Sequence, residues 1–202
     1  MPDFMQNYNK REHYYQKVYI TKEMKEIADN FASKIIDAKM KETEYQFDGD
    51  KLKKRYTTGI IGEMAVLKIL GIDYKKVNTD IGNTKYFQFA DLKEFGFNRV
   101  GVKTVEYGKA PIVFKRNRDY QIIVVIKDNY ALVCGVATPR VLDTYSTDEL
   151  ILDKNLRAKG NKTGFYGFDH LFTIRSRNDL ERFVSWFVFS KKLTIKYSQF
   201  FK

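Results

Sequence analysis

Apolar residues near the start of the chain recur at the spacing of a helix. Met24, Ile27, Ala28, Phe31, Ile35 and Ala38 fall on one stripe, and Thr21 stands where an N-cap belongs, so a helix is predicted from about Thr21 to Met40. A polar, charged segment follows from Lys41 to Arg55. The helical period resumes in TTGIIGEMAVLKILG, opened by Thr57 or Thr58 and closed by Gly71 at the C′ position. Ile60, Met64, Leu67 and Leu70 or Gly71 share its stripe. Glu63 lies on the border of that stripe, where a carboxylate is costly unless a cation or hydrogen-bond donors compensate its desolvation.

From Tyr86 onward the pattern shifts to strands. YFQFADL (86–92) alternates with period two. FNRVGVKTV (97–105) sends Val100 and Val102 one way and Gly101 and Lys103 the other. DYQIIVVIK is a near-continuous β-branched run, the mark of a strand buried on both faces, and KDN turns it into YALVCGVAT, which Pro139 ends. Thr144 to Gly167 reads as a long basic loop centred on RAKGNKTG. A last helix is predicted over about 176–192, with Leu180, Phe183, Val184 and Phe187 on its apolar face. This order predicts an α/β fold, a central mixed β-sheet flanked by helices, in one domain spanning 1–202.

Composition narrows the setting. With 202 residues the chain is long enough for one well-buried core, and three prolines and no Gly/Ser-rich stretch leave no linker. No segment approaches the ~20 apolar residues of a membrane span, and the N-terminus lacks the apolar core of a secretion signal. The single Cys134 sits in an apolar run and reads as a small buried hydrophobe. These features predict a cytoplasmic protein. Lys and Arg total 36 against 25 for Asp and Glu, a formal +11, and such an excess attracts polyanions through counterion release. DNA is the expected partner, with RNA a second possibility, no membrane contact, and a homodimer among the open states.

Three basic clusters are candidates for nucleic-acid contact. Lys115, Arg116 and Arg118 precede the central strand, and Arg157, Lys159 and Lys162 occupy the basic loop. The N-terminal 1–20 interleaves Tyr8, Tyr14 and Tyr15 with Lys10, Arg11 and Lys17, a composition suited to a stacking arm. Other chemistries are poorly served. His13 and His170 are far apart without metal-ligand neighbours, which argues against HNH-type or zinc hydrolases. Neither a phosphate-binding GxxxxGK[ST] loop nor a GxGxxG dinucleotide turn is present.

Three remaining features line up. The pattern GxxGExxVxxxLG carries Gly59, Gly62, Glu63, Val66 and Leu70-Gly71, about twenty residues before Ala90-Asp91-Leu92, and a strand then carries Val102-Lys103-Thr104. Over 57–138 this resembles the PD-(D/E)XK nuclease superfamily, whose fold is shared by many restriction enzymes, junction resolvases and phage exonucleases. The resemblance implies a restriction-endonuclease-like fold and hydrolysis of phosphodiester bonds in DNA with Mg²⁺ or Mn²⁺. It implies Asp91 as principal metal ligand, Lys103 as catalytic lysine, Glu63 as a further ligand or holder of a metal-bound water, and the Val102 carbonyl as a ligand. The chemistry suits these residue types, because carboxylates hold a cation that acidifies water and a lysine stabilises the growing phosphate charge.

One departure stands out. The family places an acid two residues before the lysine, and Gly101 stands there. This leaves a second expectation open, a nuclease-fold protein without catalysis that binds DNA or protein. Each anchor also has an ordinary structural explanation: Asp91 as a turn cap, Lys103 as a strand-edge charge, Glu63 as a helix charge.

Overall fold

A computed structural model of the chain describes residues 4–42, 49–77, 91–116 and 118–186. It is mixed α/β. The N-terminal helix α1 (Phe4–Arg11) leads into strand β1 (Gln16–Tyr19), and helix α2 (Lys22–Glu42) follows. The Thr21 hydroxyl accepts the Met24 N–H at 3.2 Å, which is the cap expected from the sequence.

Helix α3 (Gly49–Ile69) starts eight residues before Thr57, so part of the expected polar segment is helical. Tyr56 packs on the core one turn before Ile60, and the stripe continues through Met64 and Leu67. Gly71, at φ 69°, ends this helix. Ile72 donates to the Leu67 carbonyl at 2.9 Å and Gly71 to the Lys68 carbonyl at 3.1 Å, the paired bonds of a Schellman cap.

The main sheet contains β1, β2 (Val100–Glu106), β4 (Tyr120–Lys127) and β5 (Tyr130–Ala137), in the order β1-β5-β4-β2. Strands β2 and β4 run parallel, in unbroken register from Val100↔Tyr120 to Glu106↔Ile126. Strands β4 and β5 form a hairpin around Asp128-Asn129, with Asp128 in the left-handed region, and β1 adds antiparallel to β5. The hairpin register slips where Cys134 stands extra on β5. Its thiol is buried, as the sequence implied.

Between β2 and β4 the chain makes β3 (Ile112–Phe114). This short strand joins β7 (Lys162–Phe165) and β6 (Ser146–Thr147) in a second, antiparallel sheet ordered β3-β7-β6. The two faces of the main sheet are covered differently. Ile122 and Val124 of β4 belong to a core with α2, α3 and Leu180 and Phe183 of the helix over 177–186. Ile123 and Val125 belong to a second core with Val113, Phe165, Phe168, Tyr8 and Tyr15. Strand β4 is therefore buried on both faces, as its unbroken apolar run implied.

Three expectations are corrected. The N-terminal arm is folded into the body: Tyr8 and Tyr15 are 1% and 7% exposed, and the Arg11 guanidinium donates to the Asp169 carbonyl at 2.9 Å. A tyrosine ring buries as readily as it stacks on a base, so its company of lysines did not decide between the two. The region 144–167 is not one long loop, since it contains β6, helix α5 (Lys154–Ala158) and β7. Within the expected strand YFQFADL, 86–90 lie outside the described residues, and Asp91 and Leu92 form a turn. The last helix is described to 186, and the remainder of the predicted 176–192 lies outside. No helix among the described residues is long and apolar enough to cross a membrane.

Candidate active site

The candidate site forms along one edge of β2. Among the described residues this strand pairs only with β4, which leaves its other side to the turn at Asp91. Leu92 donates its N–H to the Val100 carbonyl at 3.1 Å, and the Asp91 carboxylate accepts the Val102 N–H at 2.5 Å. Both polar groups of a strand residue point to the same side, so the Val102 carbonyl opens on the edge that holds Asp91. The loop that returns the chain is tight. Phe97 donates back to the Leu92 carbonyl at 3.1 Å, and Gly96 supplies the positive φ of 94° that the reversal requires.

Glu63 arrives from α3. The helix crosses β2 with Gly62 directly against Thr104, where a β-carbon would lie 1.8 Å from the threonine Oγ1. That contact seats the next residue, Glu63, beside the strand. Burial pushes the Glu63 carboxyl well above the usual carboxylate range, and the neighbouring Asp91 charge pushes it further. Burial also raises Asp91, opposed by the Val102 N–H and by Lys103.

Lys103 completes the group from a different direction. Strand alternation places it on the opposite side from Thr104, facing the second sheet rather than α3. Burial lowers its pKa first, Lys162 on β7 lowers it further, Asp91 opposes the shift, and Arg55 of α3 adds to it. The three anchors therefore do not share one face. Asp91 occupies the edge between them, with Glu63 on the helix side and Lys103 on the sheet side.

The gap at Gly101 is filled. Gly101 and Gln121 are direct register partners, and a β-carbon on Gly101 would lie 2.8 Å from Gln121 Nε2 and 2.9 Å from Oε1. The glutamine amide thus lies over the glycine, on the Lys103 side of the strand. Sequence reasoning missed this residue. Its one local signal is a lone amide at the head of the apolar run 122–126. Glu106, the nearest acid in sequence, is engaged elsewhere: Lys54 and Lys109 each reach its carboxylate at 2.5 Å. Because β2 carries no slip, Glu106 stays on the Thr104 side.

The basic candidates separate clearly. Lys162 is the one brought within electrostatic reach of Lys103, and its ammonium lies 4.8 Å from the ring centre of the exposed Phe114. Lys115 is held by Asp148 at 2.7 Å. Arg116 has positive φ, and its backbone N–H donates to Asp143 at 3.1 Å. The backbone carbonyl of Arg118 accepts from the Arg99 guanidinium. The Arg157 guanidinium folds back onto the carbonyls of Ile151 and Glu149, which is a structural role, and Lys159 is exposed. Arg55 was not among the candidates.

Comparison of the chain with family models, with curated proteins and with solved structures returned no match.

The donor set can be tested against a metal on its own chemistry. Burial and the neighbouring Asp91 charge raise the Glu63 carboxyl, an unfavourable placement that a cation between the two carboxylates would relieve. Oxygen donors of this kind suit a hard cation such as Mg²⁺ or Mn²⁺, which completes its shell with water. No group of three or more His, Cys, Asp or Glu residues is positioned to hold a metal among the described residues. The residues present fit Mg²⁺ or Mn²⁺ held by few ligands.

Proposed function

We propose that this chain is a metal-dependent nuclease of the PD-(D/E)XK kind, with a restriction-endonuclease-like core, that hydrolyses phosphodiester bonds in DNA. One observation carries the reading: Asp91, fixed by the Val102 N–H at the edge of β2, is the meeting point of a second partly buried carboxylate and a partly buried lysine. Residues about 40 positions apart in sequence converge there, and perturbed titratable groups gathered at one place are a mark of functional sites.

Asp91, Glu63 and the Val102 carbonyl are the groups that would hold Mg²⁺ or Mn²⁺. The cation supplies a Lewis acid and lowers the pKa of bound water. The chain's own residues then have distinct tasks. Asp91, hydrogen-bonded to the Val102 N–H, fixes the position of the site relative to β2. Glu63, beside Asp91, would either bind the cation directly or hold a water bound to it. Lys103 directs positive charge at the scissile phosphate as negative charge grows there, and its protein surroundings strengthen that attraction relative to water. Lys162 and Arg55 extend the positive surface beyond it, where flanking phosphates would lie.

A second reading keeps the fold and the DNA contact but not cleavage, and Gly101 in place of an acid favours it. A nicking assay on supercoiled, linear and branched DNA separates the two. Wild-type protein should cut with Mg²⁺ or Mn²⁺ and stop with EDTA. Asp91→Asn should abolish cutting while leaving DNA retention equal or stronger, because it removes a negative charge facing phosphate. Wild-type protein that leaves every substrate intact while retaining DNA supports the non-cleaving reading. Cutting that survives Asp91→Asn refutes the assigned site, and failure to retain any nucleic acid at low salt refutes both readings.

A further inference from the structure

Glycine in a strand interior is unfavourable relative to alanine, and it marks a bulge or a close approach by another group. Gly101 is at neither a bulge nor a turn. The β2–β4 register runs through it without a slip, and it is not among the positive-φ residues. Its backbone would accept any side chain. What excludes a side chain is space, because both ends of the Gln121 amide lie within 3 Å of where the β-carbon would be. The two residues form one unit in which glycine makes room and glutamine uses it.

The position of that amide is informative. Alternation puts it on the same side of the sheet as Lys103, over the residue two before the lysine. An acid borne on β2 itself would project into this same space. Gln121 is only partly buried, and its amide can present a carbonyl oxygen, a neutral hard donor of the type that divalent cations accept alongside carboxylates. We infer that Gln121 is the missing ligand of the site, an oxygen donor delivered from the neighbouring strand across Gly101. This inference rests on the metal-dependent reading above and adds a ligand to it.

A neutral donor has a chemical consequence. A third carboxylate beside Asp91 and Glu63 would add like-charge repulsion in the metal-free chain, whereas an amide does not. The cation is then held with less charge compensation, so its binding is weaker and depends more on the incoming phosphate.

The test measures Mn²⁺ binding to the purified full chain without nucleic acid, by calorimetry and by electron paramagnetic resonance. Gln121→Ala should weaken Mn²⁺ about tenfold, at the low end of what losing a supporting group costs a metal site. Gln121→Glu should tighten it by a similar factor. Gly101→Ala should copy Gln121→Ala by displacing the amide, and the double variant should be no weaker than either single. Gln121→Asn keeps the amide but shortens its reach, so it should also lose affinity while melting close to wild type, which guards against a folding defect. If Asp91→Asn abolishes Mn²⁺ binding but Gln121→Ala and Gln121→Asn leave it within twofold of wild type, the Gln121 assignment is overturned and the metal site stands. If wild type takes up no Mn²⁺, or Asp91→Asn does not change its uptake, the metal site itself falls, and Gln121 with it.

Discussion

Two glycines three residues apart on α3 should respond to alanine with opposite signs. A β-carbon added at Gly59 would meet nothing within 4 Å, whereas at Gly62 that carbon would lie 1.8 Å from Thr104 Oγ1 and 2.7 Å from both Thr104 Cβ and Cγ2. Carbon atoms pack at about 3.5–4.0 Å. Rotating the threonine cannot relieve its own Cβ, so helix and strand must part by on the order of 1 Å. Overpacking of this kind costs about 1–3 kcal/mol, against a gain of up to about 1 kcal/mol from replacing a helical glycine. Gly62→Ala should therefore lose about 1–2 kcal/mol, while Gly59→Ala should gain about 0.5–1 kcal/mol.

Urea unfolding followed by circular dichroism measures both variants, provided their denaturant slopes match wild type. Thr104→Gly should rescue part of the Gly62→Ala loss in a double-mutant cycle, because it removes the atoms that collide. The consequence reaches the site, since the contact that fails is the one that seats Glu63 beside Asp91. Equal stabilisation by Gly59→Ala and Gly62→Ala would show that α3 does not rest on Thr104, and the placement of Glu63 would fall with that contact.

The remaining predictions concern charge. Burial raises both Glu63 and Asp91, and the Asp91 charge raises Glu63 further, so the folded chain keeps protons that the unfolded chain has released above the ordinary carboxylate range near ~4. Their contribution to stability is therefore full below that range and declines as pH rises through the raised values. Glu63→Gln in metal-free buffer should melt higher than wild type at pH 8 by a few degrees (~2–4 °C per kcal/mol) and show no advantage at pH 4. A variant that melts lower at pH 8 contradicts the stated environment of Glu63. For DNA, Lys162→Ala should weaken binding to all sequences alike and reduce the slope of log affinity against log salt by about 1. Lys115→Ala should do less, because Asp148 already holds that ammonium. Equal losses in a filter-binding titration would show that the phosphate path does not favour Lys162.

Elements with a strong local period were legible in the sequence. The α2 stripe and its Thr21 cap, the Gly71 stop, the apolar run of β4 and the hairpin into β5 all follow from residues close together in the chain. The start of α3 was not, because KLKKRY offers only Leu52 and Tyr56 to its apolar stripe among four charges. The second sheet was missed for a different reason. Its strands have two to four residues, too few to display alternation, and they are held by partners far away in sequence. Basic residues misled in the same way. Arg157 and Lys162 look alike in a charged loop, yet one is bound to backbone carbonyls and the other reaches Lys103.

Gly101 shows most clearly what one dimension conceals. Along the chain it reads as a gap, the place where the nuclease resemblance expects an acid. In the fold its meaning depends on which residue lies opposite, and a parallel pair fixes that only through a crossover, here the passage through β3. Nothing local to 97–105 or to 119–127 sets that register. It follows from how the whole crossover packs on the second core. Shifting β4 by one residue would turn Gln121 away from Lys103 and bring Tyr120 or Ile122 over the glycine instead. The glycine and the glutamine therefore have to be judged together. Whether the site lost a ligand or moved one is a question about strand register, and the paired variants at 101 and 121 ask it directly.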